Sequence, residues 1–226
     1  MYTLHYAPDN ASLIIRLVLD GAGIPYRTAL VDRSTRQQDS AAYRRLNPSG
    51  LIPVLETPEG PIAETAAILL WLADTHHLAP RHGEADRGAF LQWLFFLSNT
   101  AHADLRTIFY PHQYAPTEAH PAHLEIMSAR MLRHFALLDA AARQHPRLFA
   151  PASPLGVYTT TLTRWARLYP PDSPRWLDLS AFPALEALAA AQEARVETAV
   201  TARVEGLGAH PFTRPEQPNP PEGSVL

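Results

Sequence analysis

The sequence has no cysteine, and all 19 of its basic residues are arginine because lysine is absent as well. Without cysteine the chain can form no disulfide, no thiolate nucleophile of its own and no redox C-x-x-C pair. Without lysine it can form no Schiff base with a carbonyl substrate. Any chemistry must therefore use hydroxyl, amide, carboxylate or imidazole groups, or a thiol that a substrate brings.

A large charge excess and long apolar runs are also missing. The formal net charge of the 226 residues is −3, which argues against nucleic acid and anionic membranes as partners. No apolar stretch is long enough to span a membrane, and residues 1–6 lack the pattern of a signal peptide. We therefore expect a cytoplasmic protein. His120 and His123 share a helical face without a third ligand nearby, so we expect no metal site.

The most informative stretch is residues 47–56, NPSGLIPVLE. It predicts a turn and then an apolar strand, although a proline such as Pro53 has no N–H to donate to a sheet. We expect the Ile52–Pro53 bond to be cis and the N–H and C=O of Ile52 to be free for an added peptide strand. Glu64 and Thr65 follow at a predicted helix start, where free N–H groups favour a carboxylate. Together these features predict a site for a small anionic peptide.

The order of predicted elements divides the chain into two regions. Up to residue 79 the order β-α-β-α-β-β-α is that of a thioredoxin-like domain. Beyond Pro80 only helical patterns occur. We therefore expect an α/β plus all-α protein in three parts: a thioredoxin-like domain at 1–79, an all-α helical bundle at 85–207, and a proline-rich tail at 208–226 that is extended or disordered.

These motifs resemble the cytosolic-type glutathione S-transferase family. Its pattern N-P-x-G-x-[IV]-P-x-L, followed by an acidic residue and Ser or Thr at a helix start, matches residues 47–55 and 64–65. Residues 6–13, YAPDNASL, are similar to the opening Y-x-P-x-A-C-S-L of the bacterial beta class. Trp93, Leu94 and His102 resemble the first helix of the all-α domain, and residues 176–185 resemble the last helices.

The chain also departs from the family pattern at three places. Ala11 stands where the beta class has its cysteine, so a mixed disulfide with glutathione is impossible there. Phe95 replaces an asparagine that supplies an amide contact. Residues 153–156, SPLG, keep the capping serine of a conserved helix start but lack its reciprocal carboxylate, which should cost roughly 1 kcal/mol of stability.

The resemblance implies glutathione as the co-substrate, with no metal, and it assigns binding roles. Glu64 pairs with the ammonium group of the γ-glutamyl end, and Thr65 donates to its carboxylate. Ile52, held by Pro53, binds the cysteinyl unit through its backbone. The resemblance further implies that Arg36 binds the glycyl carboxylate and that His102 and Asp104 contact glutathione. For Arg36 the alternative is a solvated loop charge, and for His102 it is a hydrogen-bonded helix histidine.

The thiol of glutathione must be ionised to act as the nucleophile, and hydrogen-bond donors beside a helix N-terminus lower its pKa. Asn10 and Ser12 lie between the first strand and the first helix, and Tyr6 ends the strand. We expect these three residues to activate the thiol. The alternative for Asn10 and Ser12 is a purely structural role at the helix N-cap.

Apolar residues indicate a pocket for the second substrate and a dimeric state. We expect Pro8, Tyr110, Tyr114 and Trp165 to form the second-substrate pocket, although aromatic residues on helices are usually core. Residues 90–97, FLQWLFFL, are more apolar than one helical stripe needs, so we expect a homodimer.

Three functions remain open from the sequence. The first is a glutathione transferase that adds the thiolate to small hydrophobic electrophiles in detoxification. The second is another glutathione-dependent enzyme on the same fold, such as an isomerase or a peroxidase. The third is a family member that binds glutathione or other ligands without turnover.

Overall fold

The computed structural model describes residues 1–171 and 173–225. Its N-terminal part contains a four-stranded mixed sheet in the order β2-β1-β3-β4. The pair β1–β2 is parallel, whereas β1–β3 and β3–β4 are antiparallel. The elements are β1 (Tyr2–Tyr6), α1 (Ser12–Gly21), β2 (Tyr26–Leu30), α2 (Ala41–Leu46), β3 (Val54–Thr57), β4 (Gly60–Ala63) and α3 (Thr65–His76). This order confirms the predicted thioredoxin-like arrangement.

Local sequence explains these elements. A parallel pair needs a crossover, and α1 supplies it between β1 and β2. The β3–β4 hairpin turns at residues 57–60, where Gly60 has φ +125° and Thr57 donates its hydroxyl to the Gly60 carbonyl at 2.8 Å. Eight of the ten residues of α1 are buried because it packs against β1, α3, α7 and α9. Residues just before α1 therefore lie where the sheet meets the helical region.

The C-terminal part is helical, as predicted. Its α-helices are α4 (Arg87–Phe96), α5 (Ala103–Phe109), α6 (His120–Gln144), α7 (Pro154–Ala166), α8 (Pro183–Glu193) and α9 (Val196–Glu205). A π-helical turn, Leu97–His102, joins α4 to α5. Ser153 caps α7 by accepting from the Gly156 N–H at 3.0 Å, so the capping serine works without its acidic partner.

The predicted tail consists of turns, bends and irregular segments in its described residues, 208–225. It contains no helix or strand there, yet the side chain of Phe212 is fully buried in the main hydrophobic core. Arg164 donates to the carbonyl of Pro211 at 2.8 Å, and Gln217 donates to the carbonyl of Leu168 at 2.9 Å. Leu226 lies outside the described residues. The described tail is therefore packed against the helical part of the chain.

Candidate functional site

A cavity of about 610 Å³ opens where the sheet meets the helical region. Its N-terminal wall comes from the loop before α1, the segment before β3 and the start of α3. Its other wall comes from the π turn, α5 and α7. Several predicted residues lie on these walls: Asn10, Ile52, Pro53, Glu64, Thr65, His102, Tyr110 and Trp165. The cavity therefore brings together most of the predicted binding residues from distant parts of the chain.

The segment before β3 presents free main-chain groups to the cavity. The Ile52–Pro53 bond is cis, which confirms the prediction. Within residues 1–171 and 173–225, nothing hydrogen-bonds the N–H or the C=O of Ile52. The carbonyl of Leu51, by contrast, accepts from the hydroxyl of Tyr43 at 2.9 Å and from the amide of Asn47 at 2.7 Å. Ile52 is thus placed to pair with an extended peptide by main-chain hydrogen bonds.

The start of α3 adds polar groups beside Ile52. Thr65 is its first residue and is buried, and Glu64 immediately precedes the helix with φ +68°. Among the described residues, neither the carboxylate of Glu64 nor the hydroxyl of Thr65 has a hydrogen-bond partner or an ion-pair partner. An unpaired carboxylate beside free helix N–H groups can bind an ammonium and a carboxylate together, which is the pair carried by an α-amino acid.

Asn10 and Ser12 have different surroundings in the loop before α1. Asn10 lines the cavity; its side-chain oxygen accepts from the Ala11 N–H at 2.8 Å, and its NH₂ group has no partner within the described chain. Ser12 is fully buried, donates to the Ala7 carbonyl at 3.0 Å and accepts from the Ala7 N–H at 3.3 Å. This geometry does not fit the expected role of Ser12 as a donor to the thiol, because its proton is used inside the loop.

Tyr6 is also sealed from the cavity. Its side chain is buried, and its hydroxyl donates to the carboxylate of Glu222. Burial, followed by this hydrogen bond, raises the pKa of Tyr6 to about 12. The guanidinium of Arg16 lies 4.3 Å from the centre of the Tyr6 ring. A hydroxyl committed to a carboxylate cannot also donate to a thiol, so the geometry does not fit the expected catalytic role of Tyr6.

Asp9 anchors the same loop in a buried network that the sequence did not reveal. Its carboxylate accepts from Arg164 through Nε at 2.9 Å and Nη2 at 3.1 Å. Trp165 Nε1 and the Tyr169 hydroxyl donate to it at 2.8 and 3.0 Å. Asp9 has φ +47°, a conformation that costs energy for a residue with a Cβ. The network therefore holds the backbone beside Asn10 in an otherwise unfavourable shape.

A second buried carboxylate, that of Glu205, binds the main chain of Asp9. Glu205 on α9 accepts from the Asp9 N–H at 2.9 Å, and its other oxygen lies 3.2 Å from Arg16 Nε. Burial raises the pKa of Glu205 to about 7, although Arg16 opposes this shift. The signal in the sequence was a charged residue, Arg164, within the apolar helix α7, because a buried arginine requires a partner.

Arg36 is not at the cavity, contrary to expectation. Its side chain is 79% exposed, and its guanidinium pairs with Asp39 at 2.7 Å. Hydrogen bonds from Arg36 and then Arg44 hold the pKa of Asp39 below its usual value. The basic residue that does line the cavity after β2 is Arg33, three positions earlier. Loop conformation decides which of two nearby arginines faces inward, and local spacing does not reveal it.

His102 and Asp104 point in different directions. His102 lies at the end of the π turn, lines the cavity, and its Nδ1 is 2.8 Å from the Tyr158 hydroxyl. Burial, with a smaller effect of Arg106, lowers the pKa of His102 to about 4, so the ring is neutral near pH 7. Asp104 faces α6, where it accepts from Arg130 at 2.6 Å and His134 at 2.7 Å. The prediction of Asp104 as a cleft residue is therefore wrong.

Two of the four residues predicted for the second-substrate pocket line the cavity. Tyr110 and Trp165 line the cavity, and Trp165 is tied to Asp9 through its indole N–H. Tyr114 is 49% exposed and lies outside the cavity. Pro8 is buried and is covered by the tail near Gly223.

Two other features are absent from the described part of the chain. It contains no group of three or more His, Cys, Asp or Glu residues able to hold a metal ion. None of its helices is both long and apolar enough to cross a membrane.

Comparisons with known proteins agree with this geometry. Residues 11–75 match the family model described as glutathione S-transferase, N-terminal domain. The chain is 29% identical over 119 residues to glutathione S-transferase GST-4.5 of Xanthomonas campestris pv. campestris, which covers 51% of this chain and 57% of that protein. It is 34% identical over 103 residues to the disulfide-bond oxidoreductase YfcG of Escherichia coli K12, covering 42% and 48%. The match therefore spans about half the length of these curated relatives.

A solved structure extends the likeness to nearly the whole chain. The glutathione S-transferase of a sphingomonad, complexed with glutathione, is 26% identical, and the superposition covers 91% of this chain and 100% of that one with a TM-score of 0.71. Residues 11–75 therefore match the glutathione S-transferase N-terminal domain, and the fold of the chain resembles that of a solved glutathione S-transferase over nearly its whole length.

Proposed function

We propose that this protein is a glutathione transferase that adds the thiolate of glutathione to small hydrophobic electrophiles. One observation carries the proposal: the unpaired main chain of Ile52 and the unpaired Glu64 and Thr65 meet in one cavity with Asn10. These groups complement the ammonium, carboxylate and peptide units of an extended γ-glutamyl tripeptide. The sphingomonad relative, solved with glutathione, supports the same ligand.

The binding mode follows from the free groups. Glu64 pairs with the γ-glutamyl ammonium, and Thr65 with the first N–H groups of α3 binds the neighbouring carboxylate. The main chain of Ile52 pairs with the cysteinyl unit. Arg33 takes the role first given to Arg36, because its positive charge is the one on the cavity wall after β2 and favours the glycyl carboxylate.

Activation of the thiol then falls to Asn10 and to the start of α1. The free NH₂ of Asn10 donates to sulfur, and the dipole of the ten-residue helix α1 favours a negative charge at its N-terminus. Ser12 and the Asp9 network keep the loop in shape. The thiolate attacks the electrophilic carbon, a carbon–sulfur bond forms, and the leaving group departs with the electron pair of the broken bond.

A second candidate function is thiol–disulfide exchange between bound glutathione and a disulfide substrate. The E. coli relative carries the name of a disulfide-bond oxidoreductase. Because this chain has no cysteine, both sulfur atoms that exchange would have to come from ligands. Turnover of aryl halides and of a small disulfide, measured side by side, separates the two functions.

We further propose that the chain is divided into domains at 1–79 and 85–207, that it forms a homodimer, and that it is located in the cytoplasm. The apolar stretch that suggested a dimer is largely satisfied inside the chain, since Phe90, Leu94 and Leu97 are buried. Apolar side chains on α4 and α6 remain exposed, at Phe95 (46%), Ile126 (65%) and Leu137 (51%).

Calorimetric titration with glutathione tests the binding site. Thr65→Val removes the hydroxyl at the start of α3 with little change of shape, and we expect roughly a tenfold loss of affinity for one lost hydrogen bond. Arg36→Ala is the matched control outside the cavity and should bind as the wild type does. Equal affinity of all three proteins, or loss only in Arg36→Ala, would refute this site.

A further inference from the structure

The described end of the tail reaches the wall of the cavity at Val225. We call residues 220–225 the strap. Its root is fixed, because the Asn219 N–H donates to the Gly206 carbonyl at 2.8 Å. Gly206 is required at that point: a Cβ there would lie 2.1 Å from the carbonyl oxygen of Asn219. The preceding segment is held by Arg164, which donates to the carbonyls of Pro211 and Glu216.

The strap then contacts the ends of β1 and β2. Glu222 accepts from the Tyr6 hydroxyl, and the Val225 carbonyl accepts from the guanidinium of Arg33. Between these contacts, Gly223 has φ +74° and lies so close to the sheet that a Cβ would meet the Leu30 side chain at 2.7 Å. Val225 itself lines the cavity. The strap is thus seated by two polar contacts and one glycine-dependent close approach.

The strap also connects the two sides of the cavity. Arg33, which holds Val225, donates from its other terminal nitrogen to the Tyr110 hydroxyl at 3.3 Å at the end of α5. Arg33, Tyr110 and Val225 all line the cavity, so this chain of contacts is part of its wall. Without the strap, the hydroxyl of Tyr6 and the surfaces of Pro8 and Leu30 would lose their cover.

We propose that the strap is the wall that limits the size of the electrophile, with Glu222 and Val225 as its specificity-determining residues. This inference rests on the proposed function, because it concerns the second substrate of that reaction. The strap admits compact, one-ring electrophiles beside the thiolate and excludes bulkier ones. It leaves the peptide-binding groups at Ile52, Glu64 and Thr65 untouched.

The experiment compares three altered chains with one control. One variant lacks residues 222–226, Glu222→Ala removes the contact to Tyr6, and Gly223→Ala pushes the strap from the sheet. Glu216→Ala is the matched control, since Glu216 is exposed on the segment just before the strap and is not part of the cavity wall. Each protein is assayed with a one-ring and a two-ring aryl halide, with glutathione by calorimetry, and with a bulky fluorescent anilinonaphthalene probe. Thermal melts confirm folding.

We expect the ratio of kcat/KM for the two-ring to the one-ring halide to rise about tenfold in the three altered chains, a change typical of a reshaped apolar pocket. Glutathione affinity of Glu222→Ala, which keeps Val225 beside Arg33, and the kcat/KM ratio of Glu216→Ala should stay at the wild-type value. An unchanged ratio in the folded point variants would overturn the inference. If the wild type turns over neither halide, the proposed function fails and the probe decides: tighter probe binding without the strap supports a size-limiting wall, and equal binding refutes it.

Discussion

Asn10 is the side chain on which ionisation of the thiol depends in this account. Asn10 lines the cavity; its amide oxygen is occupied by the Ala11 N–H, whereas its NH₂ group has no partner among the described residues. A neutral donor to a charged acceptor contributes about 1.5–3 kcal/mol. Ser12, two residues further along the chain, offers no such proton because it donates to the Ala7 carbonyl. The two neighbouring residues should therefore fail in different ways when they are replaced.

We predict that Asn10→Ala lowers kcat at pH 7 by about tenfold or more, for the loss of one hydrogen bond to a thiolate. Glutathione affinity should change little, and activity should recover as the pH rises and bulk ionisation replaces the lost donor. Ser12→Ala should instead lower the melting temperature and leave the shape of the pH–rate profile unchanged. A full rate for Asn10→Ala across this pH range would assign activation to backbone N–H groups alone.

Glu205 makes stability depend on pH in an unusual direction. Its pKa in the folded protein is about 7, above the ordinary value of 4.5, because burial disfavours the charged form. The folded state therefore binds the proton more tightly than the unfolded state does. The resulting contribution is fully present below about pH 4.5 and is lost as the pH rises through about 7.

We predict that the free energy of unfolding of the wild type falls, relative to Glu205→Gln, by on the order of 3 kcal/mol between pH 4.5 and pH 8. The glutamine keeps the neutral shape and cannot titrate. Urea denaturation of both proteins across this range measures the difference. Parallel curves for the two proteins would show that Glu205 does not titrate in the folded state.

At the scale of elements, most of the fold could be predicted from the sequence. The order of strands and helices, the cis bond before Pro53 and the cap at Ser153 follow from local spacing and turn chemistry. Which way a side chain points within a loop does not. Arg33 rather than Arg36 faces the cavity, and Asp104 faces α6, because contacts between distant elements set these directions.

The loop before α1 depends on helix α7 for its shape. Asp9 and Arg164 are both fully buried, so each charge needs the other. Two further donors, Trp165 and Tyr169, complete the surroundings of the Asp9 carboxylate. Removing the arginine would leave a buried carboxylate without its counter-charge, directly beside Asn10.

We predict that Arg164→Met destabilises the protein by about 3–5 kcal/mol, the usual cost of leaving a buried charge unpaired. Chemical denaturation measures this loss. Arg167→Met is the control, since Arg167 lies one turn further on and, within the described residues, donates to the carbonyls of Phe212 and Thr213 and to no carboxylate. It should lose much less stability. Equal losses of stability in the two variants would show that the Asp9–Arg164 ion pair contributes no more to the free energy of unfolding than the contacts of Arg167 do.

For the whole molecule, the exposed apolar side chains on α6 bear on assembly. Ile126 is 65% exposed, which is unusual for a large aliphatic residue on a long helix. We predict a dimer in sedimentation, at twice the chain mass of 25.0 kDa. Ile126→Glu should convert it to a monomer. Val200→Glu, at an exposed site on α9, should leave the dimer intact. A wild type that sediments as a monomer at micromolar concentration would contradict this prediction.

The tail is the described segment whose position in the molecule differs most from what its sequence predicted. Its proline content predicted an extended segment, but nothing in its composition indicated that it reaches the cavity. Contacts such as Glu222 with Tyr6 join residues more than two hundred positions apart. They arise only when the core has brought the sheet and the last helix together, so a reading of local pattern could not find them.

The central claim is that the cavity binds glutathione and lowers the pKa of its thiol. Ultraviolet absorbance of the thiolate, recorded while the pH of a glutathione-saturated sample is raised, tests it directly. Since the chain has no cysteine, all thiolate absorbance comes from the ligand. We predict ionisation of bound glutathione about one to two pH units below that of a free thiol near 8.5. Ionisation at the free value, or no binding of glutathione at all, would contradict the account.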